Sequence, residues 1–515
     1  MNLLSLPVLI PLFGGAVLLL IRKTEWRNAF AILMAALILI ADLAIFRETL
    51  SQDVLVMQMA NWSAPWGISL VADRLTGILL ALSGFVGLLT VIFASSSLQH
   101  PARRGQSKRH NTLREQLGFQ ALLLFLFMGV NMSFLTGDLF NLFVAFEVML
   151  VASYGLLLLG NELPQLREGF KYVIVNLIAS AFFVVAAGFT YGLVGTLNMA
   201  DIAQKVALHG PDNRITLIAM LLALVFTTKA AIFPLGFWLP NTYPTPAAPV
   251  SAFFAAILTK VGAYALIRSF TLLFPTEDTL KLTLLVLTGL TLLIGGFGAI
   301  ARRRWRHSLS FANVASIGYL VMGAFIGTQA GLSAAIYYLI NSVLVIFTLF
   351  LIAALAEKIA GERYNEGGHL SVYPWLGVGF FIAALALAGL PPTSGFIGKF
   401  ALIKALFETG QAIQLWVAIS AVLTGFLLLY ACIQIWQGWF WGESDAVHRV
   451  PLPRTMQGVT TVAVISLLTL AFFSGQIYEF SQQTAEQLSS NESYITAVLT
   501  PQVSLEPSLV PEGDN

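Results

Sequence analysis

The sequence has few of the features on which soluble enzymes and nucleic-acid-binding proteins depend. Of its 515 residues only 10% are charged, against about 25% in an average soluble protein. The 28 basic and 26 acidic residues give a net charge of +2, which leaves no basic excess for binding DNA or RNA. The single cysteine, Cys432, excludes a disulfide framework and a Cys/His zinc cluster. This composition excludes an ordinary cytoplasmic enzyme, and we expect no nucleic-acid partner.

Residues and motifs that bind metals or cofactors are also scarce. The six histidines all lie outside the apolar stretches: His100, His110, His209, His307, His369 and His448. A haem or metal site within those apolar stretches therefore has no support. The glycines form neither a phosphate-binding loop nor a dinucleotide fingerprint. We expect no metal site and no cofactor.

What the chain has in abundance is apolar sequence. Apolar residues make up 57% of it, its mean hydropathy is +0.81, and apolar stretches of about 20 residues recur from end to end. These features predict an all-α polytopic membrane protein with about fourteen transmembrane helices. The predicted spans lie near residues 3–21, 28–46, 70–94, 117–136, 138–159, 170–195, 215–236, 247–268, 281–300, 308–327, 331–355, 374–407, 413–438 and 456–475.

The distribution of basic residues predicts the orientation. Loops after odd-numbered spans hold most of the lysines and arginines found between spans, including the clusters at 103–114 and 302–306. Because cytoplasmic loops carry the excess of Lys and Arg, both termini are predicted to face away from the cytoplasm. The segment 476–515 contains no Lys or Arg and several acids. We expect it to be an acidic, partly ordered external tail.

Four charged residues lie inside predicted spans. At 1.5 Å per helical residue, Glu147 lies about 13 Å into its span, Lys229 about 21 Å and Lys260 about 20 Å into theirs. Lys399 lies in the interior of the twelfth span. Because a charge at the centre of a membrane helix costs roughly 2.5–3.5 kcal/mol, four of them require a reason.

A structural ion pair between Glu147 and one lysine would leave two amines without a charged partner. Desolvation favours the neutral form of an amine, so a row of buried lysines can take up and release protons and pass them along the membrane plane. Movement of Glu147 relative to Lys229 would then act as an electrostatic valve. Lys404, five residues beyond Lys399, is either a proton exit or an interfacial anchor.

Prolines interrupt the seventh and twelfth predicted spans. Pro234 lacks an N–H and frees the carbonyl of Ala230, directly beside Lys229. Pro391 and Pro392 likewise free the carbonyls four residues before each of them. Irregular backbone at membrane depth is tolerated where it is buried in protein or lines a hydrated cavity. We therefore expect Lys229 to face a polar interior.

Two interrupted helices five spans apart indicate an internal repeat of opposite topology, as in inverted-repeat transporters. The predicted organisation is three N-terminal helices (1–116), a first repeat of helices 4–8 (117–268), a second repeat of helices 9–13 (281–438), helix 14 (456–475) and the tail (476–515).

Five segments carry distinctive motifs. They read GDLFNLFVAFE at 137–147, ASYGL at 152–156, GTLNMAD at 195–201, WLP at 238–240 and PAAPVSA at 246–252. In these motifs the chain resembles the D subunit of the Mrp-type multisubunit sodium/proton antiporters, over roughly residues 5–475. It is similar, more distantly, to the antiporter-like subunits of respiratory complex I and of membrane-bound hydrogenases.

This resemblance implies a fourteen-helix subunit with two inverted five-helix repeats and interrupted helices 7 and 12. It also implies a buried proton-carrying axis formed by Glu147 on helix 5, Lys229 on helix 7, Lys260 on helix 8 and Lys399 on helix 12. Such a subunit works with other subunits in the bacterial inner membrane, and the ions expected are H⁺ and Na⁺.

One segment departs from the family pattern. Asn341 stands where the family usually has a histidine or an acid, and Ile346 stands where it has a lysine. Neither side chain holds a proton at accessible pH. The relay from Lys260 to Lys399 therefore either runs through water held by the polar group of Tyr338, Asn341 and Ser342, or is interrupted.

Three functions remain open at this point. The first is a proton-translocating subunit of a cation/proton antiporter, the second is the proton-pumping membrane subunit of a hydrogenase or NADH dehydrogenase-like redox complex, and the third is a non-conducting scaffold subunit. The departure at Asn341 and Ile346 is the best support for the scaffold. The first and third are not enzymes, while the second would be part of one.

Overall fold

The computed structural model describes residues 3–99, 118–275, 277–360, 370–441 and 451–500. Most of them form long apolar helices, which we number after the predicted spans. Those of the first half are α1 (Leu6–Leu20), α2 (Thr24–Ser51), α3 (Arg74–Gln99), α4 (Phe119–Leu135), α5 (Leu139–Leu158), α6 (Leu163–Val194), α7 (Asn213–Ala230) and α8 (Ala248–Leu273). Those of the second half are α9 (Asp278–Ala301), α10 (Trp305–Phe325), α11 (Gln329–Ala360), α12a (Pro374–Ala388), α12b (Ser394–Glu408), α13 (Ala412–Trp439) and α14 (Arg454–Phe472).

Each predicted span overlaps one of these helices, except the twelfth, which overlaps both α12a and α12b. Twelve stretches of the described chain are long and apolar enough to cross a membrane, whereas α4 and α12a are shorter, at 17 and 15 residues. The membrane-spanning all-α class is confirmed, and the total of fourteen spans stays a prediction. The seventh helix ends at Ala230 rather than near residue 236, and the predicted twelfth span divides into α12a and α12b.

One part of the fold was not predicted. Residues Leu55–Gln58 (β1) and Ser69–Ala72 (β2) pair as an antiparallel hairpin between α2 and α3. The start of the third predicted span at residue 70 was therefore wrong, because residues 69–72 pair with β1 and the helix begins only at Arg74. We call this end of the molecule the hairpin end.

The segment after α14 folds onto the hairpin end. It forms the helices Ser474–Ser489 and Asn491–Leu499. Phe480 packs edge-on against Phe46 of α2, with ring centroids 5.7 Å apart, and Gln58 donates a hydrogen bond to the carbonyl of Val498 at 3.5 Å. The part of the predicted tail up to residue 500 is thus largely helical, and 501–515 lie outside the described residues.

Helix boundaries repeat at a constant interval. The ends of α4 and α9 (Leu135 and Ala301), the starts of α5 and α10 (Leu139 and Trp305) and the starts of α6 and α11 (Leu163 and Gln329) are each 166 residues apart. In addition, α6 and α11 both have 32 residues. A shared interval over three consecutive helices supports the two predicted repeats.

Close helix packing repeats with the same interval. A Cβ at Gly129 of α4 would lie 2.5 Å from the backbone nitrogen of Met149 on α5, and a Cβ at Gly295 of α9 would lie 2.5 Å from the nitrogen of Ala315 on α10. In both pairs only glycine permits this approach of the two backbones. The register makes Asn313 in the second repeat the counterpart of Glu147 in the first, because each lies two residues before the contacted position.

Helices α8 and α11, one from each predicted repeat, form the centre of the bundle. The apolar stretch of α8 is buried throughout and that of α11 almost throughout, whereas only about a third of the corresponding stretch is buried in α2 and α14. Exposed apolar side chains lie on the peripheral helices, which is the pattern expected of helices in an apolar environment. The charged residues predicted within spans lie on helices around this centre.

Candidate functional site

Glu147 and Ser180 begin a row of polar side chains between the helices. Glu147 lies on α5 and is half-buried. Its carboxylate accepts a hydrogen bond from the hydroxyl of Ser180 on α6. Ser180 is 7% exposed, so this contact is made inside the protein rather than at its surface.

Lys229 on α7 contacts the same serine. Its amine donates to Ser180 Oγ at 3.4 Å and to the side-chain oxygen of Asn176 at 3.2 Å. Asn176 and Ser180 lie one turn apart on α6 and therefore face α7 together. Glu147 and Lys229 are not in direct ion-pair contact, and Ser180 connects them.

The interruption of α7 follows directly after Lys229. The helix ends at Ala230, and Ala231 adopts a left-handed conformation with φ of 59°. The indole of Trp238 donates to the carbonyl of Thr228 at 3.2 Å. The break thus starts three residues before Pro234. The carbonyl that accepts this side-chain hydrogen bond belongs to Thr228, whereas Pro234 was expected to free the carbonyl of Ala230. Pro234 itself lies in the exposed part of the break.

Lys260 lies on α8 and is fully buried. A π-helical turn at Phe254–Leu258 precedes it, and its amine donates to the carbonyl of Ala255 at 2.9 Å within this turn. The same amine donates to Oδ1 of Asn313 on α10 at 2.9 Å. A π turn widens the helix and leaves carbonyls available to side chains, which explains how an amine is held here in an apolar environment.

The backbones of α7 and α8 touch beside the two lysines. A Cβ at Gly262 would lie 2.5 Å from the nitrogen of Ala230. Gly262 follows Lys260 by two residues and Ala230 follows Lys229 by one. The two amines therefore belong to directly packed helix segments at the same level of the bundle.

Lys399 lies on α12b, beyond the second interruption. Its amine donates to the carbonyls of Leu387 and Ala388 at 2.7 and 3.1 Å, and these are the two carbonyls that the proline pair was predicted to free. The amine also lies 4.3 Å from the ring centre of Tyr319, where the negative face of the ring attracts a cation. A cavity of about 190 Å³ borders Lys399 and Tyr319.

Neutral polar groups occupy the space between Lys260 and Lys399. Tyr338 on α11 contacts the hydroxyl of Ser316 on α10 at 3.4 Å, and its ring lies 5.4 Å from that of Tyr319. Ser316 lies one turn beyond Asn313, the partner of Lys260. Buried side chains therefore lead from Lys260 to Lys399 without a titratable group that ionises near neutral pH.

Other members of the predicted polar group and its neighbourhood are also buried. Asn341 accepts a hydrogen bond from Ser394 at the start of α12b, at 2.8 Å. The hydroxyl of Ser342 is buried with no partner among the described residues, and Ile346 is fully buried in α11. Asn341 therefore holds the interrupted twelfth helix.

Two further predicted site residues lie at the surface. The side chain of Lys404 is 62% exposed and forms an ion pair with Glu408, one turn away, at 3.6 Å. This placement separates it from Lys399 and agrees with an interfacial anchor. Pro392 lies in the exposed part of the break between α12a and α12b, so its contribution to the site is through the backbone that it interrupts.

Several neutral residues that hold the charged ones were not predicted. They are Asn176, Ser180, Asn313, Ser316 and Tyr319. Their signal in the sequence was the occurrence of polar residues one helical turn apart within otherwise apolar spans, on α6 and on α10. The described residues contain no group of three or more His, Cys, Asp or Glu side chains that could hold a metal ion.

The fold and the buried row of charges define a polytopic membrane protein of the antiporter-like class. A sequence profile described as "NADH:quinone oxidoreductase/Mrp antiporter, TM" matches residues 136–426. The D subunit of the Na(+)/H(+) antiporter of Alkalihalophilus pseudofirmus is 38% identical over 509 residues, which cover 97% of this chain and 99% of that protein. The D subunit of the Bacillus subtilis antiporter is 36% identical, with 97% and 99% covered. The chain belongs to this D-subunit family of the Mrp-type antiporters.

Solved structures show the same fold. A chain in the structure of the Mrp complex from Dietzia sp. DQ12-45-1b superposes with a TM-score of 0.86 at 28% identity, covering 97% of this chain and all of that one. A chain of the respiratory complex I of Thermus thermophilus gives a TM-score of 0.77 at 24% identity, covering 95% and 100%. The second likeness concerns the fold alone.

Proposed function

We propose that this chain is a proton-translocating subunit of a multisubunit Na⁺/H⁺ antiporter. In this proposal H⁺ moves along the row Glu147, Lys229, Lys260 and Lys399. Its partners are the other subunits of the complex, and its place is the bacterial cytoplasmic membrane. The similarity to antiporter D subunits over nearly the whole chain supports the assignment to an antiporter complex. The contacts of Glu147 and the three lysines support the proton route.

One observation carries the proposal: three buried amines bond only to neutral oxygen atoms. The hydrogen bonds of Lys229, Lys260 and Lys399 all go to hydroxyl, amide or carbonyl oxygens, and none of the three forms an ion pair among the described residues. An amine locked to a carboxylate stays charged, whereas an amine that faces hydroxyl, amide and carbonyl oxygens is able to give up its proton. These contacts support proton exchange along the row rather than permanent ion pairing.

The contacts also support a route for one step of the proposed transfer. The ammonium of Lys229 donates to Ser180, and the Ser180 hydroxyl donates to Glu147. Transfer of one proton from the amine to Ser180 Oγ, with release of the hydroxyl proton to the carboxylate, leaves a neutral amine and a neutral acid.

The decisive experiment uses the complete antiporter complex in everted membrane vesicles. We expect Lys229→Ala, Lys260→Ala and Lys399→Ala each to reduce Na⁺-driven pH-gradient dissipation by at least an order of magnitude while the complex still assembles. Lys404→Ala is the matched control, because that lysine lies on the same helix as Lys399 but points to the surface. Full activity of all three variants in an assembled complex would leave the chain as a scaffold.

The redox-complex alternative rests on the matched profile, whose description also names NADH:quinone oxidoreductase, and on the likeness in fold to a complex I chain at 24% identity. Copurification distinguishes the two. We expect antiporter subunits with the tagged chain, and iron–sulfur subunits in stoichiometric amount would contradict the proposal.

The basic loops support an orientation in which the hairpin end faces away from the cytoplasm. Arg302, Arg303 and Arg304 lie exposed between α9 and α10, and the arginine-free helix Ser474–Ser489 lies at the hairpin end. By the distribution rule for positive charge, the arginine cluster marks the cytoplasmic side.

A further inference from the structure

A second buried acid lies outside the row described above. Asp42 is on α2, fully buried, and neither of its carboxyl oxygens has a hydrogen-bond partner among the described residues. It lies nine residues before the end of the helix at Ser51, or about 13 Å at 1.5 Å per residue. An interfacial anchor would be exposed near the helix end, so Asp42 does not have that role.

The helices around Asp42 offer it no counter-ion. Neither α1 nor α4 contains a charged residue, and the only one in α3 is Arg74, its first residue, which pairs with Asp53 at 3.3 Å. Arg47 on α2 itself is exposed. The neutral amide of Asn131 on α4 is the polar group that faces the carboxyl. An ionised carboxylate here would be unpaired in a dry environment, so the form that fits is the protonated acid.

The packing leaves a slot for this acid. A Cβ at Gly84 of α3 would lie 2.6 Å from Oδ2 of Asp42. Next to it, Ser83 donates to Oδ1 of Asn131 at 2.9 Å, and the Asn131 amide reaches the carbonyl of Pro7 at 3.4 Å. The nearby oxygens are therefore engaged with each other, and they do not form the shell of several free oxygens that a metal cation requires. A proton needs no such shell.

Further polar groups lie between the same helices on both sides of Asp42. Toward the end opposite the hairpin, Gln120 donates to Asn28 and to Ser95 at 3.2 and 3.3 Å, and Asn28 Nδ2 and Gln120 Oε1 remain without partners among the described residues. Toward the hairpin end, Thr76 donates to the carbonyl of Phe134 at 3.2 Å. Buried polar groups therefore recur across the thickness of the bundle formed by α2, α3 and α4.

We propose that Asp42 is a second proton-binding site of this subunit, which exchanges its proton along the polar groups between α2, α3 and α4. This site is separate from the lysine row, which lies on α7, α8 and α12b. The polar residues along this proposed route are Asn131 and Ser83 at the level of Asp42, Gln120, Asn28 and Ser95 on one side, and Thr76 on the other.

Infrared spectroscopy of the purified complete complex tests proton occupancy without measuring transport. We expect the carbonyl-stretch band of a protonated carboxyl group at neutral pH, shifted by ¹³C-carboxyl-labelled aspartate and in D₂O, and absent in Asp42→Asn. Glu48→Gln is the control, because Glu48 is an exposed acid on the same helix; it should leave the band unchanged. Absence of an aspartate-dependent band in the wild-type complex would overturn the proposal even if Asp42→Asn fails to assemble.

Transport by the same variants tests the exchange. We expect Asp42→Asn to reduce antiport at least fivefold in an assembled complex, and Asp42→Glu to retain activity with a shifted pH profile. An Asp42→Asn complex with the wild-type rate and pH profile would show a purely structural acid. A changed apparent affinity for Na⁺ with an unchanged pH profile would show a cation site, and either result would contradict the proposal.

Discussion

Lys260 on α8 donates a hydrogen bond to Asn313 on α10 at 2.9 Å, and Asn313 occupies in the second repeat the position that Glu147 occupies in the first. The two repeats therefore use the same place on the helix differently. In the first, an acid is connected to a lysine through Ser180. At the matching position of the second repeat, the neutral amide of Asn313 contacts Lys260 directly. The Lys260 amine is therefore held without a fixed opposite charge.

Replacement of Asn313 by Asp tests the need for this neutrality. The carboxylate would lie next to the Lys260 amine in a dry environment and hold it in the charged form. We expect at least tenfold slower antiport in an assembled complex, measured by pH-gradient dissipation in everted vesicles. Asn213→Asp, an exposed position at the start of α7, is the control for the added charge. An Asn313→Asp complex as fast as wild type would show that the amine need not release its proton.

Ser180→Ala removes the hydroxyl that connects Glu147 to Lys229. We expect assembly to persist and antiport to fall about tenfold, with partial recovery in Ser180→Thr, which restores a hydroxyl. Thr190→Ala is the matched change, because this buried threonine on the same helix bonds only to the carbonyl of Ala186 in its own helix. Equal losses for Ser180→Ala and Thr190→Ala would indicate a general packing effect and no proton connection.

Gly395 tests the backbone geometry at the twelfth-helix break. A Cβ at this position would lie 1.8 Å from the carbonyl oxygen of Ala386, so Gly395→Ala must separate α12a from α12b. We expect the melting temperature of the purified complex to fall clearly and antiport to be lost. Gly458→Ala on α14 meets no atom within 4 Å and should be neutral or stabilising by about 0.5–1 kcal/mol, because alanine favours the helix. A Gly395→Ala complex as stable as wild type would contradict the close contact.

Cysteine labelling tests the orientation. Cys432, the only cysteine of the chain, is buried, so it gives a low background. A membrane-impermeant maleimide should label Ser489→Cys from outside intact cells and label Arg303→Cys only after the membrane is opened. Both introduced positions are exposed in the structure. The reverse pattern would place the termini in the cytoplasm.

The membrane class, the positions of the apolar helices and the four central charges could be read from sequence. Lipid excludes charge and unsatisfied backbone, so Glu147 and the three lysines stood out against their neighbours. The release of the Leu387 and Ala388 carbonyls from helix hydrogen bonding was predictable too, because proline frees the carbonyl four residues before it. The family could be identified from sequence motifs, and antiporter D subunits are similar to the chain over nearly its whole length.

Only the tertiary structure decided how these charges are held. Neutral residues such as Ser180 and Asn313 are common in membrane helices, and their roles depend on which neighbouring helix they face. The start of the α7 break at Ala231 and the hairpin in place of the start of a third span were likewise not readable locally, because contacts distant in sequence fix them. The sequence determined which groups cannot face lipid, because burying a charge in lipid is costly. The packing of the helices determined which of those groups meet, because contact depends on three-dimensional proximity.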